Sequence, residues 1–210
     1  MSNFLTVALK RLVSPSLALL TAIVLTPCAA NATPYIVKLV QQGTNVVATG
    51  SGAIELTGLT SNGVYGSGGG LWASDAFVLT GAPVSLNGYT GFTGPTSFGS
   101  GGLSGFTTGT GSSVGIFGSA SYYGFPVIWV PQGYVSDMAL TSGAIWDSAS
   151  FASLGVTPGT YTWTWGTGAD QSFTMEAVKA VPEPAVFGMF GLGVLLIGGF
   201  TTLRRRDQQW

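Results

Sequence analysis

Histidine is absent from this chain of 210 residues, and cysteine occurs once, at Cys28. Histidine is the commonest general base and metal ligand, so its absence excludes Ser-His-Asp and Cys-His catalysis. One cysteine alone excludes a disulfide framework within the chain and a cluster of thiolate metal ligands. A folded domain of this chain therefore depends on its apolar core and its hydrogen bonds.

Charged residues are also scarce, at 7% of the chain. Between residues 33 and 180 the only cations are Lys38 and Lys179, against six carboxylates: Glu55, Asp75, Asp137, Asp147, Asp170 and Glu176. Without a basic patch, binding to nucleic-acid phosphates has no electrostatic basis. The glycine-rich run 67–70 lacks the Gly-Lys-Ser/Thr ending of a phosphate-binding loop, and no Asp-x-Asp-x-Asp-Gly calcium loop occurs. We therefore expect no nucleic-acid partner, no cofactor and no metal site.

The amino-terminal 32 residues have the organisation of a secretory signal peptide. Lys10 and Arg11 precede a short apolar core at 17–25, and Ala30-Asn31-Ala32 follows. A positive region, a short apolar core and an Ala-x-Ala site are the three parts of such a peptide. The sequence therefore predicts a signal peptide over residues 1–32, recognised at Ala30 and Ala32 and cleaved before residue 33.

Cys28 leaves a second processing route open, because lipid-modified cysteines also follow signal peptides. That modification needs a small residue immediately before the cysteine, and Pro27 occupies this position. The sequence therefore favours cleavage after Ala32. This cleavage would also remove the only thiol from the mature protein.

The carboxyl-terminal segment 181–210 has three parts in a fixed order. Pro182-Glu183-Pro184 is followed by an uncharged apolar run at 185–203 and then by Arg204-Arg205-Arg206. As a helix with a rise of about 1.5 Å per residue, the run is roughly 28 Å long, close to the hydrocarbon thickness of a bilayer. Arginines at its end mark the cytoplasmic side. The sequence predicts a single transmembrane helix with the preceding domain outside.

This tail resembles the PEP-CTERM sorting domain of exported bacterial proteins. The resemblance covers the proline–glutamate–proline triplet, the glycine-rich apolar helix and the arginine cluster. It implies export in a Gram-negative bacterium and cleavage near the triplet by an exosortase-type membrane protease. It also implies that Pro182, Glu183 and Pro184 form the recognition motif, and that Arg204, Arg205 and Arg206 form the cytoplasmic stop. An ordinary membrane anchor is the alternative.

The region between, residues 33–180, has an all-β texture. Short runs of Val, Thr, Tyr, Phe and Trp alternate with Gly, Ser, Asn and Pro. The sequence predicts strands at 34–40, 46–56, 71–73, 76–79, 126–130 and 134–140, the first two forming a hairpin in which Gly50 and Gly52 mark a bulge or a close approach. Many short strands at close spacing favour an antiparallel, jelly-roll-like β-sandwich.

Two stretches of this region are less regular. Residues 87–120 are low in complexity, but regularly placed phenylalanines (Phe92, Phe98, Phe106 and Phe117) predict short irregular strands, each fixed to a core by one aromatic ring. Residues 147–155 predict one helical turn, capped by Asp147 or Ser148 and ended by Gly155.

The last strand pair gives the clearest pattern. Residues 159–166 alternate aromatic residues with threonine, so Tyr161, Trp163 and Trp165 share one face, and residues 171–178 form the partner strand with Phe173, Met175 and Ala177 on one face. This segment resembles the end of the exported domain in a subset of PEP-CTERM proteins, a resemblance that implies a fold boundary and no activity.

Candidate chemistry is limited to carboxylates and aromatic rings. Asp137 with Asp147, or Asp75 with Glu55, are the pairs available for glycoside hydrolysis, and no motif supports either. Aromatic side chains suit the apolar faces of sugars, and the candidate stacking residues are Trp72, Trp129 and Trp146, with Tyr122 and Tyr123. The alternating positions of Trp163 and Trp165 indicate core residues instead.

The sequence as a whole predicts a non-catalytic exported protein with a structural or adhesive role at the cell surface or in an extracellular matrix. The resemblance implies an exosortase as a partner, and the predicted location in an extracellular matrix makes exopolysaccharide a candidate partner. A carbohydrate-binding module is the alternative, and a glycan-active hydrolase is the remote one.

Overall fold

Thirteen β-strands make up about half of the residues that the structure, a computed structural model, describes: residues 33–66 and 68–179. The strands are β1 (Tyr35–Gln42), β2 (Asn45–Gly52), β3 (Thr60–Tyr65), β4 (Gly70–Trp72), β5 (Phe77–Thr80), β6 (Leu86–Thr90), β7 (Leu103–Gly105), β8 (Thr108–Gly111), β9 (Val114–Phe117), β10 (Val127–Pro131), β11 (Leu140–Trp146), β12 (Gly159–Thr164) and β13 (Ser172–Lys179). A short 3-10 helix, Ala73–Asp75, follows β4.

The predicted signal peptide and sorting tail lie outside the described residues. These predictions include Ala30 and Ala32 at the amino terminus, and Pro182, Glu183, Pro184, the apolar run 185–203, Arg204, Arg205 and Arg206 at the carboxyl terminus. Within the two described ranges, no helix has both the length and the apolar character that crossing a membrane requires.

The strands form two sheets. The first sheet has the order β12-β13-β1-β2-β11-β8, and the second has the order β3-β6-β10-β9-β5-β4-β7. Every strand pair is antiparallel except β1 with β13, which run parallel from Tyr35 beside Phe173 to Gln41 beside Lys179. The predicted all-β class is confirmed as two mostly antiparallel sheets, an arrangement consistent with a β-sandwich. The jelly-roll connectivity stays a prediction.

A core cluster combines side chains from both sheets. In β1 and β13 buried side chains alternate with more exposed ones, which is the pattern of a strand with one face toward a core. Tyr35, Trp163, Phe173 and Met175 are each 0% exposed and belong to this cluster, together with Val78 and Ile116 from the second sheet and others. The predicted inward face of the last strand pair is therefore confirmed.

The central strands of the second sheet are buried on both faces. In β5, β9 and β10 almost every residue is buried, and no alternation is visible. Val78, Ile116 and Ile128 join the core between the sheets, whereas Phe77, Phe117 and Trp129 belong to a second apolar cluster with Leu79, Leu86 and Val127. The second sheet therefore carries an additional apolar layer on its outer face, and the candidate site lies there.

Gly50 shows why the first hairpin contains glycine inside a strand. A Cβ atom at this position would collide with the Tyr35 hydroxyl and with Ser142 Oγ. The predicted close approach is confirmed, and its cause is a buried hydroxyl group from the neighbouring strand. Gly52 at the end of β2 has φ +124, a conformation that other residues rarely adopt.

Three local predictions need correction. The second strand, predicted over 46–56, ends at Gly52. Residues 134–139 are a loop, and the strand begins only at Leu140. The Tyr134 hydroxyl explains the loop, because it accepts a hydrogen bond from Ile54 N at 2.9 Å and donates one to Met138 O at 2.8 Å.

The helical turn predicted within residues 147–155 is present as a hydrogen-bonded turn. Its cap is Ser150 and not Asp147 or Ser148, because Ser153 N donates a hydrogen bond to Ser150 Oγ at 3.0 Å. Gly155 ends the turn with φ +60, as predicted.

The low-complexity stretch 87–120 folds into short strands with aromatic anchors. Parts of β6, β7, β8 and β9 lie within it. Phe92, Phe98 and Phe117 are buried, at 5%, 1% and 3% exposure, and Phe106 packs against the main core. The predicted role of the phenylalanines is confirmed.

Candidate aromatic pocket

An aromatic pocket of about 350 Å³ lies on the outer face of the second sheet. Its side chains come from strands and loops far apart in sequence: Tyr65, Trp72, Phe77, Leu79, Leu86, Leu103, Phe117, Tyr122, Tyr123 and Trp129, with the backbone of Gly66, Gly68 and Gly69 at one side. None of these described lining residues carries a charge. The pocket therefore suits a neutral ligand with an apolar face.

The strand register places a glycine on each side of Trp129. Trp129 in β10 lies directly beside Gly88 in β6 and beside Gly115 in β9. A Cβ atom at Gly88 would collide with the ring of Tyr65, which packs against Trp129. Gly88 thus allows the Tyr65 ring to lie close to the sheet, whereas a Cβ atom at Gly115 would instead meet Val78 O and Leu79 in β5.

The rings of the pocket meet edge to face. Ring centroids of Tyr65 and Trp129 are 5.9 Å apart at 75°, those of Phe77 and Trp129 are 5.9 Å apart at 90°, and those of Tyr123 and Trp129 are 5.8 Å apart at 72°. Edge-to-face pairs of this kind contribute about 0.5–1.5 kcal/mol each beyond the burial of their area. Phe117 also packs against Trp129, with centroids 6.4 Å apart at 76°, so four neighbouring rings hold Trp129 as a fixed part of the pocket.

The indole nitrogen of Trp129 lacks a hydrogen-bond partner among the residues that the structure describes. The other buried indoles are paired: Trp146 Nε1 donates to Ser104 O at 3.2 Å, Trp163 Nε1 to Pro95 O at 2.7 Å and Trp165 Nε1 to Glu55 O at 2.8 Å. A buried donor without a partner is costly, and such exceptions call for an explanation.

A tyrosine loop, residues 119–124, borders the pocket with Tyr122 and Tyr123. Its turn is closed by Gly124 N, which donates to Ala120 O at 3.0 Å. Tyr122 is 69% exposed, whereas Tyr123 is partly buried against it with ring centroids 4.8 Å apart. Burial raises the pKa of Tyr123, and neighbouring Tyr122 and Tyr65 raise it further. The Tyr123 hydroxyl therefore remains a hydrogen-bond donor at neutral pH.

Asp75 fastens the base of the tyrosine loop. Its carboxylate accepts hydrogen bonds from Ser121 Oγ, from Ser119 Oγ at 2.9 Å and from Ser74 Oγ at 3.0 Å. The hydrogen bond from Ser121 lowers the pKa of Asp75 most; burial acts in the opposite direction, and Ser119 and Ser74 lower the pKa further. Asp75 ends the 3-10 helix that begins directly after Trp72. Its carboxylate therefore connects the Trp72 side of the pocket to the tyrosine loop.

We expect Asp75→Asn to loosen the tyrosine loop with little effect on global stability. Because the folded-state pKa of Asp75 is lowered, its contribution is present above the ordinary carboxylate pKa of about 4 and is lost as pH falls. Hydrogen exchange at neutral pH should become faster for amides 119–124. Asp147→Asn, at an exposed carboxylate, is the matched control. Unchanged exchange of the loop in Asp75→Asn would contradict the assigned role.

The structure divides the predicted aromatic residues into two groups. Trp72 and Trp129 line the pocket together with Tyr122 and Tyr123, although Trp129 is itself only 3% exposed. Trp146, the third candidate for sugar stacking, is 2% exposed and lies in the core between the sheets, away from the pocket. Trp163 and Trp165, interpreted from the sequence as core residues, are 0% and 4% exposed.

The two predicted carboxylate pairs are not supported. Asp137 precedes β11 and Asp147 follows it, and a strand of that length spans roughly 20 Å. The carboxyl groups of glycosidases lie at most about 9.5 Å apart, so this pair is too distant. Asp75 holds the tyrosine loop, whereas Glu55 belongs to a different network.

That network joins three loops at one end of the fold. Glu55 accepts hydrogen bonds from Thr57 N at 2.8 Å, from Gln171 Nε2 at 2.6 Å and from Ser136 Oγ at 3.2 Å. Burial raises the pKa of Glu55, but these hydrogen bonds together outweigh it and lower the pKa. Burial, and then the charges of Glu55 and Asp170, raise the pKa of Asp137. Within 33–66 and 68–179, no group of three or more His, Cys, Asp or Glu side chains is arranged to hold a metal ion.

Sequence reasoning missed the pocket residues Tyr65, Phe77 and Leu103 as a site. Part of the pocket could be recognised from the sequence. Two continuous apolar runs contribute to it, Phe77-Val78-Leu79 and Val127-Ile128-Trp129-Val130. Such runs are typical of strands buried on both faces. They indicate a layer outside the sheet, although they do not indicate which loops complete it.

Comparison of the chain with protein-family models, with curated proteins and with solved structures finds no match.

Proposed function

We propose that this protein is exported and displayed at the cell surface or in the extracellular matrix of a Gram-negative bacterium, where it has a non-catalytic structural or adhesive role. The observation that carries the proposal is the order of the sequence features. A signal-peptide pattern over 1–32 precedes a β domain, and Pro182-Glu183-Pro184, an apolar run and three arginines follow it. An exosortase-type protease is the proposed processing partner, and exopolysaccharide is the proposed surrounding.

The position of the last strand agrees with this order of sequence features. The last strand, β13, ends at Lys179, so the β domain finishes immediately before the proposed sorting segment 181–210. β13 lies inside the first sheet, between β12 and β1. A carboxyl-terminal anchor would therefore be attached to an interior strand, which resists detachment better than an edge strand because it is hydrogen-bonded on both sides.

We expect replacement of Pro182, Glu183 and Pro184 by alanine to block removal of the tail. The intact mass of protein recovered separately from the membrane and the medium of its own host measures this. The unaltered protein should begin near residue 33 and end near residue 184, whereas the triple variant should retain residues up to Trp210.

Gln208→Ala with Gln209→Ala, beyond the arginine cluster, is the matched control and should be processed normally. If the unaltered protein itself keeps its whole tail in the membrane, the sorting proposal fails, and an ordinary anchored surface domain remains.

Carbohydrate binding is a second candidate function, and one observation favours it. Trp72 and Trp129, two of the three candidate stacking residues, line one pocket together with three tyrosines. Aromatic rings with polar groups at their edges suit sugars, which combine apolar C–H faces with hydroxyl groups. Exposure of the recovered protein to an array of glycans tests this role, and the absence of any signal would remove it.

A further inference from the structure

We propose that the aromatic pocket binds one or two rings of a neutral sugar and excludes acidic sugars. This inference rests on the carbohydrate-binding role given above as the second candidate, and it specifies the ligand class. It depends on the size of the pocket, on its charge and on the phenol groups of its lining tyrosines.

The size of the pocket limits the ligand. About 350 Å³ lies near the lower end of the range of roughly 300–1,000 Å³ for small-molecule sites. Aromatic and aliphatic side chains supply most of the wall, and Leu103 and Tyr122 at its edge are 63% and 69% exposed. A site of this size accommodates the end of a glycan or a short oligosaccharide, with its C–H faces against the rings.

Hydrogen-bonding groups distinguish a sugar from a purely apolar ligand. Three phenol hydroxyls, from Tyr65, Tyr122 and Tyr123, belong to the pocket, and the Tyr65 hydroxyl accepts a hydrogen bond from Asn62 Nδ2 at 3.2 Å. The indole N–H of Trp129 is buried and has no partner among the described residues, so it is not counted among these groups. A hydrocarbon ligand would leave these groups unpaired, whereas sugar hydroxyls can pair with them directly or through one water molecule.

Charge distinguishes neutral sugars from acidic ones. The described lining residues include no cation, and the two lysines of residues 33–179 lie on the first sheet, Lys38 in β1 and Lys179 at the end of β13. Lys38 already pairs with Glu176 at 3.8 Å. A uronate placed against the rings would lose hydration without gaining a cationic partner, which is strongly unfavourable.

Isothermal titration of the protein as recovered from cells tests the inference. Neutral gluco-, galacto- and manno-oligosaccharides of one to four rings are compared with oligouronates of equal length. We expect at least one neutral series to bind, with no further gain in affinity beyond two rings, and the oligouronates to bind at least tenfold more weakly.

Three variants connect binding to the pocket. Trp129→Phe replaces the indole by a smaller ring and reduces the aromatic wall of the pocket, so affinity should fall about threefold to tenfold. Trp72→Ala removes one side of the pocket and should reduce affinity tenfold or more. Tyr122→Ala alters an exposed residue and should also weaken binding, which keeps the test valid if the other variants fold poorly. Trp146→Phe, which removes an indole N–H in the core, is the matched control and should bind normally.

The outcomes separate this inference from the functions on which it rests. If oligouronates bind as tightly as neutral sugars and the pocket variants weaken both, carbohydrate binding stands and the neutral-sugar inference is wrong. If neutral sugars bind but none of the pocket variants affects them, the site is wrong. If no saccharide binds while the tail is still processed, carbohydrate binding is wrong and surface display is unaffected.

Discussion

Trp163→Ala should destabilise the β domain by about 3–5 kcal/mol, the range for removing a buried aromatic side chain. Trp163 is 0% exposed, and its ring packs against Phe173 with centroids 5.9 Å apart. Its Nε1 donates to Pro95 O at 2.7 Å, so it also fixes the loop that follows β6. A Cβ atom at Gly94 or at Gly118 would collide with the indole, which shows how closely the surrounding chain fits it.

Chemical unfolding followed by circular dichroism measures this effect, with Thr162→Ala as the matched control. Thr162 is the preceding residue of the same strand and is exposed. Its replacement should change the free energy of unfolding by at most about 0.5 kcal/mol. The exposed hydrogen bond between Thr162 and Thr174, which the substitution removes, adds only a small further loss. Equal effects of the two substitutions would contradict the assignment of the core.

Four strands of the first sheet, β1, β2, β12 and β13, could be predicted from their alternating residues, whereas β11 begins at Leu140, where the prediction at 134–140 ends. In β12 threonine alternates with aromatic residues, and in β13 the polar residues Ser172, Thr174 and Glu176 alternate with apolar ones. A period of two identifies both the strand and its inward face. The parallel pairing of β1 with β13 was not predictable in the same way. It joins Tyr35 to Phe173 across almost the whole domain, and local patterns contain no information about such distant partners.

The candidate pocket could be predicted only in part, for a related reason. Trp72 and Trp129 are conspicuous in the sequence, but the fold decides that they share a pocket while Trp146 is buried elsewhere. The space for the Tyr65 ring, which packs against Trp129, depends on Gly88 in β6. Gly88 lies in glycine-rich surroundings, where the sequence alone cannot distinguish a glycine required by packing from one in a turn.

A loss of stability of about 3 kcal/mol between pH 10 and pH 12 is the expected contribution of Tyr35. Burial raises the pKa of Tyr35 to about 12, although hydrogen bonds with Ser142 and Thr80 act in the opposite direction. The unfolded chain loses this proton near pH 10, and the folded domain keeps it until about pH 12. The unfolded state is therefore favoured as pH rises through this interval, by about 1.4 kcal/mol for each pH unit.

The position of Tyr35 explains why its proton matters for the whole fold. Its hydroxyl lies 2.7 Å from Ser142 Oγ, which lies 2.6 Å from Thr80 Oγ1. Tyr35 and Ser142 belong to the first sheet and Thr80 to the second, so this buried chain of hydroxyls joins the two sheets. A phenolate here would place a charge between the sheets without a cationic partner among the described residues.

Tyr35→Phe should remove this alkaline loss while costing about 1 kcal/mol at neutral pH, where Ser142 loses a hydrogen-bond partner. Urea unfolding midpoints measured from about pH 8 to about pH 12 follow both effects. Tyr122→Phe, at a phenol that is 69% exposed, is the matched control and should retain the alkaline loss. The two variants carry the same chemical change, so the difference between their pH profiles isolates burial of the hydroxyl at Tyr35. Parallel profiles would show that the hydroxyl chain between the sheets does not determine alkaline stability.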